Sequence, residues 1–137
     1  MGFPGLVLAT GCFDILHVGH IKLLEQARGL GDMLIVGINS DMSVRRLKGA
    51  TRPIMNESDR VYMLKSLRCV DGVCIFGEDD PGELIRKVKP SIFVKGGDYQ
   101  EKDLKELPAL KEVGARFVSI PLVKGYSTTE LINRMAG

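Results

Sequence analysis

The chain has 137 residues and a mass of 15.0 kDa, which predicts a single domain over residues 1–137. Hydrophobic residues make up 45% and charged residues 26% of the chain, so disorder, collagen and coiled coil are excluded as descriptions of the whole chain. The net charge of +2 is too balanced for a dedicated basic face, and we expect no nucleic-acid partner.

Cysteine usage and the N-terminal residues indicate the compartment. Cys12, Cys69 and Cys74 are widely spaced, a pattern that fits neither a disulfide framework nor a zinc site. Residues 1–10 contain no basic segment followed by a long apolar run, and no window reaches the ~18 apolar residues of a membrane span. We therefore expect a cytoplasmic protein with reduced thiols and no membrane partner.

Short apolar runs alternate with helical patterns along the chain. In chain order, the predicted elements are strand Leu6–Thr10, helix Val18–Leu30, strand Met33–Ile38, helices Ser43–Leu47 and Glu57–Leu67, strand Val70–Phe76, helix Pro81–Val88, strand Ile92–Val94, helix Leu104–Val113, strand Arg116–Ile120 and helix Ser127–Met135. This alternation predicts parallel pairing with right-handed crossovers. The expected fold is a small doubly wound, Rossmann-like α/β sandwich with a five-stranded parallel sheet. Ligands of such folds bind beyond the carboxyl ends of the strands.

The segment after the first strand, Gly11–His20, places two histidines at the start of a helix. His17 and His20 are three residues apart and lie on the same side of that helix, near free backbone N–H groups and the positive end of the helix dipole. Gly19 removes a side chain between them. Since imidazoles donate hydrogen bonds to phosphoryl oxygens, the segment predicts a phosphate site; ordinary histidines that cap the helix or face solvent are the alternative.

The same segment resembles a known family signature. It lacks Gly-x-Gly-x-x-Gly and the phosphate loop that ends in Gly-Lys-Ser/Thr, which excludes a dinucleotide-binding dehydrogenase and a P-loop ATPase. Its pattern, Gly-x-Phe-Asp-x-x-His-x-Gly-His, resembles the signature of the nucleotidyltransferase superfamily that contains the cytidylyltransferases. The resemblance implies transfer of a nucleotide monophosphate unit to a phosphorylated substrate, with release of pyrophosphate. The nucleotide-binding residues predicted in this segment are Gly11, Cys12, Phe13, Asp14 and Gly19.

Three later segments resemble one particular module within this superfamily. Arg46–Ile54, Lys95–Tyr99 and Gly125–Thr129 resemble the adenylyltransferase module that makes ADP-activated heptose from heptose 1-phosphate in lipopolysaccharide core synthesis. The resemblance covers the chain from Thr10 to roughly Met135. It implies ATP as the nucleotide substrate, D-glycero-D-manno-heptose 1-phosphate as the acceptor and a homodimer. The module is often fused to a sugar kinase, and 137 residues imply the stand-alone form.

Other functions on this fold stay open. Glycerol-3-phosphate cytidylyltransferase has a similar first motif, but it carries an arginine ahead of the closing glycine, where this chain has Pro121–Gly125 without arginine, and usually a threonine at the position of Cys12. FMN adenylyltransferase is a further alternative. A non-catalytic nucleotide-binding regulator is the alternative of another class, and it would be expected to lack one of the histidines or hydroxyls that this chain keeps.

Basic residues around the Gly49–Pro53 loop suit a triphosphate. Lys48, Arg52 and Arg60 bring cations that would neutralise the charge developing on pyrophosphate, whereas a solvated basic loop is the alternative. The predicted catalytic residues are His17, His20, Lys48 and Arg60. The predicted substrate-binding residues are Asn39, Asp41 and Arg52.

The ends of the last two strands complete the predicted nucleotide site. Lys95, Gly97 and Asp98 follow the fourth strand, where glycine lets the main chain approach a base or sugar; a glycine turn with a solvent-facing Asp98 is the alternative. The hydroxyls at the start of the last helix suit phosphate, although one of them is expected to serve as the N-cap. These hydroxyls belong to Ser127, Thr128 and Thr129.

The metal expectation follows from the reaction. Mg²⁺ would bridge phosphate oxygens and be held mostly by substrate and water, so no metal-ligating residues are predicted. Asp14 has three alternative roles at this point: orienting the backbone, binding sugar or helping to place a metal.

Overall fold

The structure, a computed structural model, describes residues 3–136; residues 1, 2 and 137 of the predicted domain lie outside it. Its strands are β1 (Phe3–Gly11), β2 (Met33–Asn39), β3 (Gly72–Phe76), β4 (Pro90–Gly96) and β5 (Arg116–Ile120). Its α-helices are α1 (Val18–Arg28), α2 (Asp41–Lys48), α3 (Glu57–Lys65), α4 (Gly82–Val88), α5 (Leu107–Val113) and α6 (Thr128–Ala136). Each predicted strand and helix is present, with shifted ends.

The start of α5 shows why the ends shift. The sequence predicts a helix from Leu104, but the structure has a 3₁₀ turn at Glu101–Asp103 and begins α5 at Leu107. Pro108 stands in the first turn of α5, where its missing N–H leaves no intrahelical bond unmade. The proline therefore lies at the start of the helix rather than inside it.

The strands form one parallel sheet in the order β3-β2-β1-β4-β5. The chain winds outward from β1 to β3, then returns to add β4 on the other side of β1. This reversal makes the carboxyl ends of β1 and β4 the switch point, where open α/β sheets bind their ligands. The predicted doubly wound α/β fold is confirmed.

Helices cover both faces of the sheet. On one face, Leu24 of α1 and Leu64 of α3 pack with Val36 of β2 in one buried cluster. On the other face, Ile85 of α4 and Leu110 of α5 pack with buried strand residues in a second cluster. Sheet residues are thus apolar on both sides, which explains the continuous apolar runs in the sequence. No helix within residues 3–136 has the length and apolar character needed to cross a bilayer.

Candidate active site

A cleft of about 610 Å³ opens at the switch point, beside the carboxyl ends of β1 and β4. Its walls are formed by the β1–α1 loop, the end of α2, the loop that follows β4 and the segment that leads into α6. Most of the predicted site residues line it: Gly11, Cys12, Phe13, Asp14, His17, Gly19, His20, Asn39, Lys48, Arg52, Lys95, Ser127, Thr128 and Thr129. The sheet topology therefore brings together residues that are more than 100 positions apart in the chain.

The β1–α1 loop has a strained backbone. Phe13 has φ 50° and Ile15 has φ 55°, in the left-handed region that β-branched residues such as isoleucine rarely occupy. Outliers of this kind cluster at functional sites, where the surrounding structure holds them in place. Here the strained turn redirects the chain from β1 into α1, so that the start of α1 faces the cleft.

Asp14 joins the β1–α1 loop to the segment Arg52–Met55. Its carboxylate, in a residue only 1% exposed, accepts hydrogen bonds from Arg52 Nε at 2.9 Å, from the Ile54 amide at 2.8 Å and from the Met55 amide at 2.9 Å. Burial alone would raise the pKa of Asp14, but these hydrogen bonds outweigh it and hold the pKa below its usual value. Of its three alternative roles, the geometry therefore supports orienting the backbone rather than binding sugar or a metal with the carboxylate.

The two histidines stack against each other at the start of α1. Their ring centroids are 3.8 Å apart with an interplanar angle of 26°, and the His17 amide donates to His20 Nδ1 at 3.2 Å. Burial, together with neighbouring His17, lowers the pKa of His20 to about 4, and burial also lowers the pKa of His17. At neutral pH His20 is thus uncharged, and because Nδ1 accepts a hydrogen bond, its proton lies on Nε2. His20 is a neutral N–H donor rather than a cation.

The lowered pKa of His20 predicts an acid-sensitive fold. Between about pH 6.5, the ordinary histidine value, and about pH 4, the unfolded chain binds a proton that the folded chain rejects, so stability is lost as pH falls through this window. We expect the free energy of unfolding in urea to fall by ~1 kcal/mol more between pH 7 and pH 5 in the wild type than in His20→Gln. Equal losses in the two proteins would contradict the burial of a neutral His20.

Three cations line the cleft with different degrees of restraint. Lys48, at the end of α2, is exposed and makes no salt bridge within residues 3–136. Arg52 is held by Asp14, with its side chain 12% exposed. Lys95 lies 3.5 Å from the buried Glu106 carboxylate and 4.6 Å from the centroid of the Tyr99 ring. Lys48 is the cation with the most freedom to follow a phosphate group.

Arg60 does not line the cleft, and the prediction that it grips the triphosphate does not fit the structure. Its side chain has no exposed surface. Its donors are taken by the carbonyls of Met55 at 3.0 Å, Cys12 at 2.8 Å and Asn39 at 2.8 Å, and by the Asp41 carboxylate at 2.7 Å. Arg60 therefore ties the ends of β1 and β2 to the loop that precedes α3, beneath the site rather than in it.

Three further predicted residues lie outside the cleft lining. The Asp41 carboxylate pairs with Arg60, which corrects its predicted role in binding substrate. The Gly97 amide donates to the Ile120 carbonyl at 2.8 Å, and the Gly97 carbonyl accepts from the Ser119 hydroxyl, so this glycine joins β4 to β5. Asp98 is exposed beside it, which matches the alternative of a glycine turn with a solvent-facing Asp.

The hydroxyls at the start of α6 divide into three roles. Ser127 Oγ accepts from the Glu130 amide at 3.0 Å and caps the helix. Thr128 Oγ1 donates to the Asp14 carbonyl at 2.7 Å and ties α6 to the β1–α1 loop. Thr129 is exposed in the cleft wall. A phosphate in the cleft would thus meet the Thr129 hydroxyl and the N–H groups at the start of the helix.

Several cleft residues were not predicted as site residues. Tyr99 and Tyr126 belong to segments that carry the family resemblance, so their positions after β4 and β5 were the available signal. Asp79 and Pro81 follow β3, and the rule that ligands lie beyond strand ends points to them as well. Leu122 sits in the wall near Gly96, a contact that nothing in the sequence indicates.

Comparisons with known sequences match nearly the whole chain. Residues 8–134 match the model of the cytidylyltransferase-like family. The chain is 55% identical over 130 residues to the bifunctional protein HldE of Nitratiruptor sp. and 49% identical over 130 residues to that of Trichlorobacter lovleyi, in both cases over 95% of this chain. It spans only 27% and 26% of the length of these relatives.

Solved structures with this fold include one of similar length. A lipopolysaccharide core biosynthesis protein from Thermoplasma volcanium matches 91% of this chain and 100% of its own, with 31% identity and a TM-score of 0.74. Pantothenate synthetase from Thermus thermophilus is 14% identical, with a TM-score of 0.66 over 93% of this chain and 61% of its own. The second similarity concerns the fold alone.

Proposed function

The chain belongs to the cytidylyltransferase-like family. We propose that it is a nucleotidyltransferase and that it transfers AMP from ATP to a sugar 1-phosphate, D-glycero-D-manno-heptose 1-phosphate. The observation that carries this proposal is the stacked pair of neutral histidines at the start of α1, inside a cleft bordered by three cations. The choice of ATP and of heptose rests on the resemblance of the Arg46–Ile54, Lys95–Tyr99 and Gly125–Thr129 segments. A similar chain named for lipopolysaccharide core biosynthesis supports it.

The reaction is a single in-line displacement. A phosphate oxygen of the acceptor attacks the α-phosphorus of ATP, the bond to the bridging oxygen breaks, and pyrophosphate leaves with the electron pair. Because the attacking phosphate is already an anionic nucleophile, no general base is needed. Catalysis then consists of positioning the reactants and stabilising the charge that develops on phosphate oxygens.

The described residues suit that task. His20 Nε2–H and the neutral His17 ring present hydrogen-bond donors. Because neither ring carries a positive charge, neither competes with the α-phosphorus for the anionic phosphate of the acceptor. Lys48 and Arg52 supply positive charge for the leaving pyrophosphate, with Arg52 kept in place by Asp14. The start of α6, with Thr129, binds further phosphate oxygens through helix N–H groups.

We propose that Mg²⁺ accompanies ATP as a substrate-bound ion. Within residues 3–136 no group of three or more acidic, histidine or cysteine side chains could hold a metal, and Asp14 uses its oxygens for three hydrogen bonds. Phosphate oxygens and water would therefore coordinate the ion, whose charge neutralises the triphosphate when bound.

A smaller neighbouring cavity supports a hydroxyl-rich acceptor. This cavity of about 260 Å³ shares Asp79, Pro81, Lys95 and Tyr99 with the main cleft. Its other polar walls are the side chains of Asp80, Asp103, Lys105 and Glu106. Carboxylates accept hydrogen bonds from sugar hydroxyls, and an aromatic ring packs against the apolar face of a sugar ring. These groups favour a sugar phosphate over glycerol 3-phosphate, which has fewer hydroxyls to use them.

The substrate proposal predicts one active pair in a matrix of ATP and CTP against heptose 1-phosphate, glycerol 3-phosphate and FMN. We expect pyrophosphate release to be fastest with ATP and heptose 1-phosphate. With ATP as the nucleotide, we expect this acceptor to react at least tenfold faster than the other two, because the acceptor cavity discriminates through several hydrogen bonds. The preference for ATP over CTP rests on the family resemblance. A faster reaction with CTP and glycerol 3-phosphate would replace the proposal with the cytidylyltransferase alternative. Nucleotide binding with no turnover for any pair would favour the regulatory module.

The homodimer and the cytoplasmic location stay predictions. Both rest on the family resemblance and on the composition of the chain, and no described contact tests either one. Sedimentation of the purified protein at micromolar concentration would report the number of chains directly.

A further inference from the structure

The ring of His17 is held by stacking rather than by hydrogen bonds. Within residues 3–136, His17 Nδ1 is the buried side-chain nitrogen or oxygen that has no hydrogen-bond partner. The ring stacks on His20 with centroids 3.8 Å apart, and it lies nearly parallel to Tyr126, with centroids 6.1 Å apart and an angle of 20°. Aromatic rings attract each other at such offset distances, so Tyr126 is a second stacking partner of His17.

Gly19 leaves space for this arrangement because it has no side chain. A Cβ at Gly19 would lie 2.8 Å from Tyr126 Cβ and 2.9 Å from His17 Cε1, closer than carbon atoms approach without displacement. The absence of a side chain at this position thus lets Tyr126 reach the histidine. Glycine between the two histidines therefore leaves room for the third ring.

Hydrogen bonds of Tyr126 and of nearby Thr128 hold this segment in the cleft wall. Its amide donates to the Val123 carbonyl at 3.3 Å, and Thr128, two residues later, donates to the Asp14 carbonyl at 2.7 Å. Its hydroxyl makes no hydrogen bond within the described part of the chain, and the residue is 42% exposed. The contacts of this side chain with His17 and Gly19 are therefore made by its ring and its Cβ rather than by its hydroxyl.

We propose that Tyr126 is a positioning residue for His17: its ring fixes the imidazole against His20, in the orientation that meets the phosphates. This inference rests on the proposed nucleotidyl transfer. A donor that carries no hydrogen bond of its own can swing when one stacking partner is removed, and a displacement of about 1 Å costs on the order of 10²-fold in rate. Tyr126 itself stays outside the chemistry.

The kinetic test compares Tyr126→Ala with Tyr126→Phe, which keeps the ring and removes only the hydroxyl. We expect Tyr126→Ala to lower kcat by roughly 10- to 100-fold, with a smaller change in the KM for ATP, and Tyr126→Phe to stay within about threefold of the wild type. Tyr62→Ala is the matched control, because Tyr62 is 75% exposed on α3 and should leave kcat unchanged. Wild-type kcat in Tyr126→Ala, or an equal loss in Tyr126→Phe, would overturn the proposal.

A second measurement does not depend on turnover. The chain has two histidines, so its histidine ring signals in an NMR titration number two and are assigned with His17→Ala. We expect Tyr126→Ala to raise the pKa of His17 toward 6.5 as the ring becomes solvated, whereas Tyr126→Phe leaves it at the wild-type position. A His17 titration unchanged in Tyr126→Ala refutes the positioning role even if the protein transfers no nucleotide. Failure of the proposed function alone appears instead as an inactive wild type with the expected shift.

Discussion

We expect His20→Ala to lower kcat for nucleotidyl transfer by about 10²- to 10³-fold, the usual cost of removing one preorganised donor from a developing oxyanion. The effect is large because His20 Nε2–H is a fixed, neutral donor in a partly buried site. Steady-state pyrophosphate release measures it, with circular dichroism to check the fold.

A matched variant separates chemistry from helix capping. His20 occupies the third position of α1 and accepts a hydrogen bond from the His17 amide. Glutamine at this position accepts the same bond, as in a capping box, so His20→Gln should keep the wild-type free energy of unfolding within ~1 kcal/mol and still lose at least tenfold in kcat. Wild-type kcat in either variant would remove His20 from the catalytic site.

We expect Arg60→Ala to destabilise the fold by about 3–5 kcal/mol, the range typical of removing one partner of a buried ion pair. The substitution leaves the carbonyls of Cys12, Asn39 and Met55 without the guanidinium that they share. Buried acceptors without partners are costly, and the cavity left by the side chain adds to the loss. Urea unfolding measures the change directly.

Arg46→Ala provides the control for that experiment. Arg46 also donates to an aspartate and to a carbonyl, at 3.0 Å and 2.6 Å, but its side chain is 48% exposed. Exposed pairs contribute ~1 kcal/mol or less, so Arg46→Ala should lie within that range. Equal losses in the two variants would show that burial is not what makes Arg60 important.

The fold could be predicted because its determinants are local. Apolar runs such as Met33–Ile38 and the periodicity of Val18–Leu30 predict element types, and the alternation of strands and helices then restricts the topology. The site could be located for the same reason, since parallel strands place their carboxyl ends at one edge of the sheet. The Gly11–His20 motif supplied the chemistry.

The roles of Arg60 and Asp14 could not be predicted because their partners are mainly backbone groups far away in sequence. Arg60 binds the carbonyl of Cys12, 48 residues earlier, and Asp14 binds amides 40 and 41 residues later. Every residue carries such groups, so the sequence does not mark which ones meet a side chain. From the sequence alone, a basic residue near a predicted phosphate site is therefore interpreted as a ligand for phosphate. In the structure Arg60 is buried, and its role is to hold backbone segments together.

Tyr126 illustrates a different limit. Its chain position, just before the Ser-Thr-Thr run, indicates the site, but its role depends on a ring-to-ring distance across more than 100 residues. Only the close approach at Gly19 and the stacking geometry distinguish it from an ordinary exposed tyrosine.

The most direct measurement of the central claim follows the phosphorus atoms. The purified protein is incubated with heptose 1-phosphate, Mg²⁺ and ATP labelled either at the α- or at the γ-phosphate. We predict that the α-label appears in a sugar nucleotide and the γ-label in pyrophosphate, in equal amounts and at rates that fall together in His17→Ala and in His20→Ala. A γ-label found in the sugar product, or an α-label that stays in ATP or appears only as free AMP, would contradict nucleotidyl transfer at this cleft.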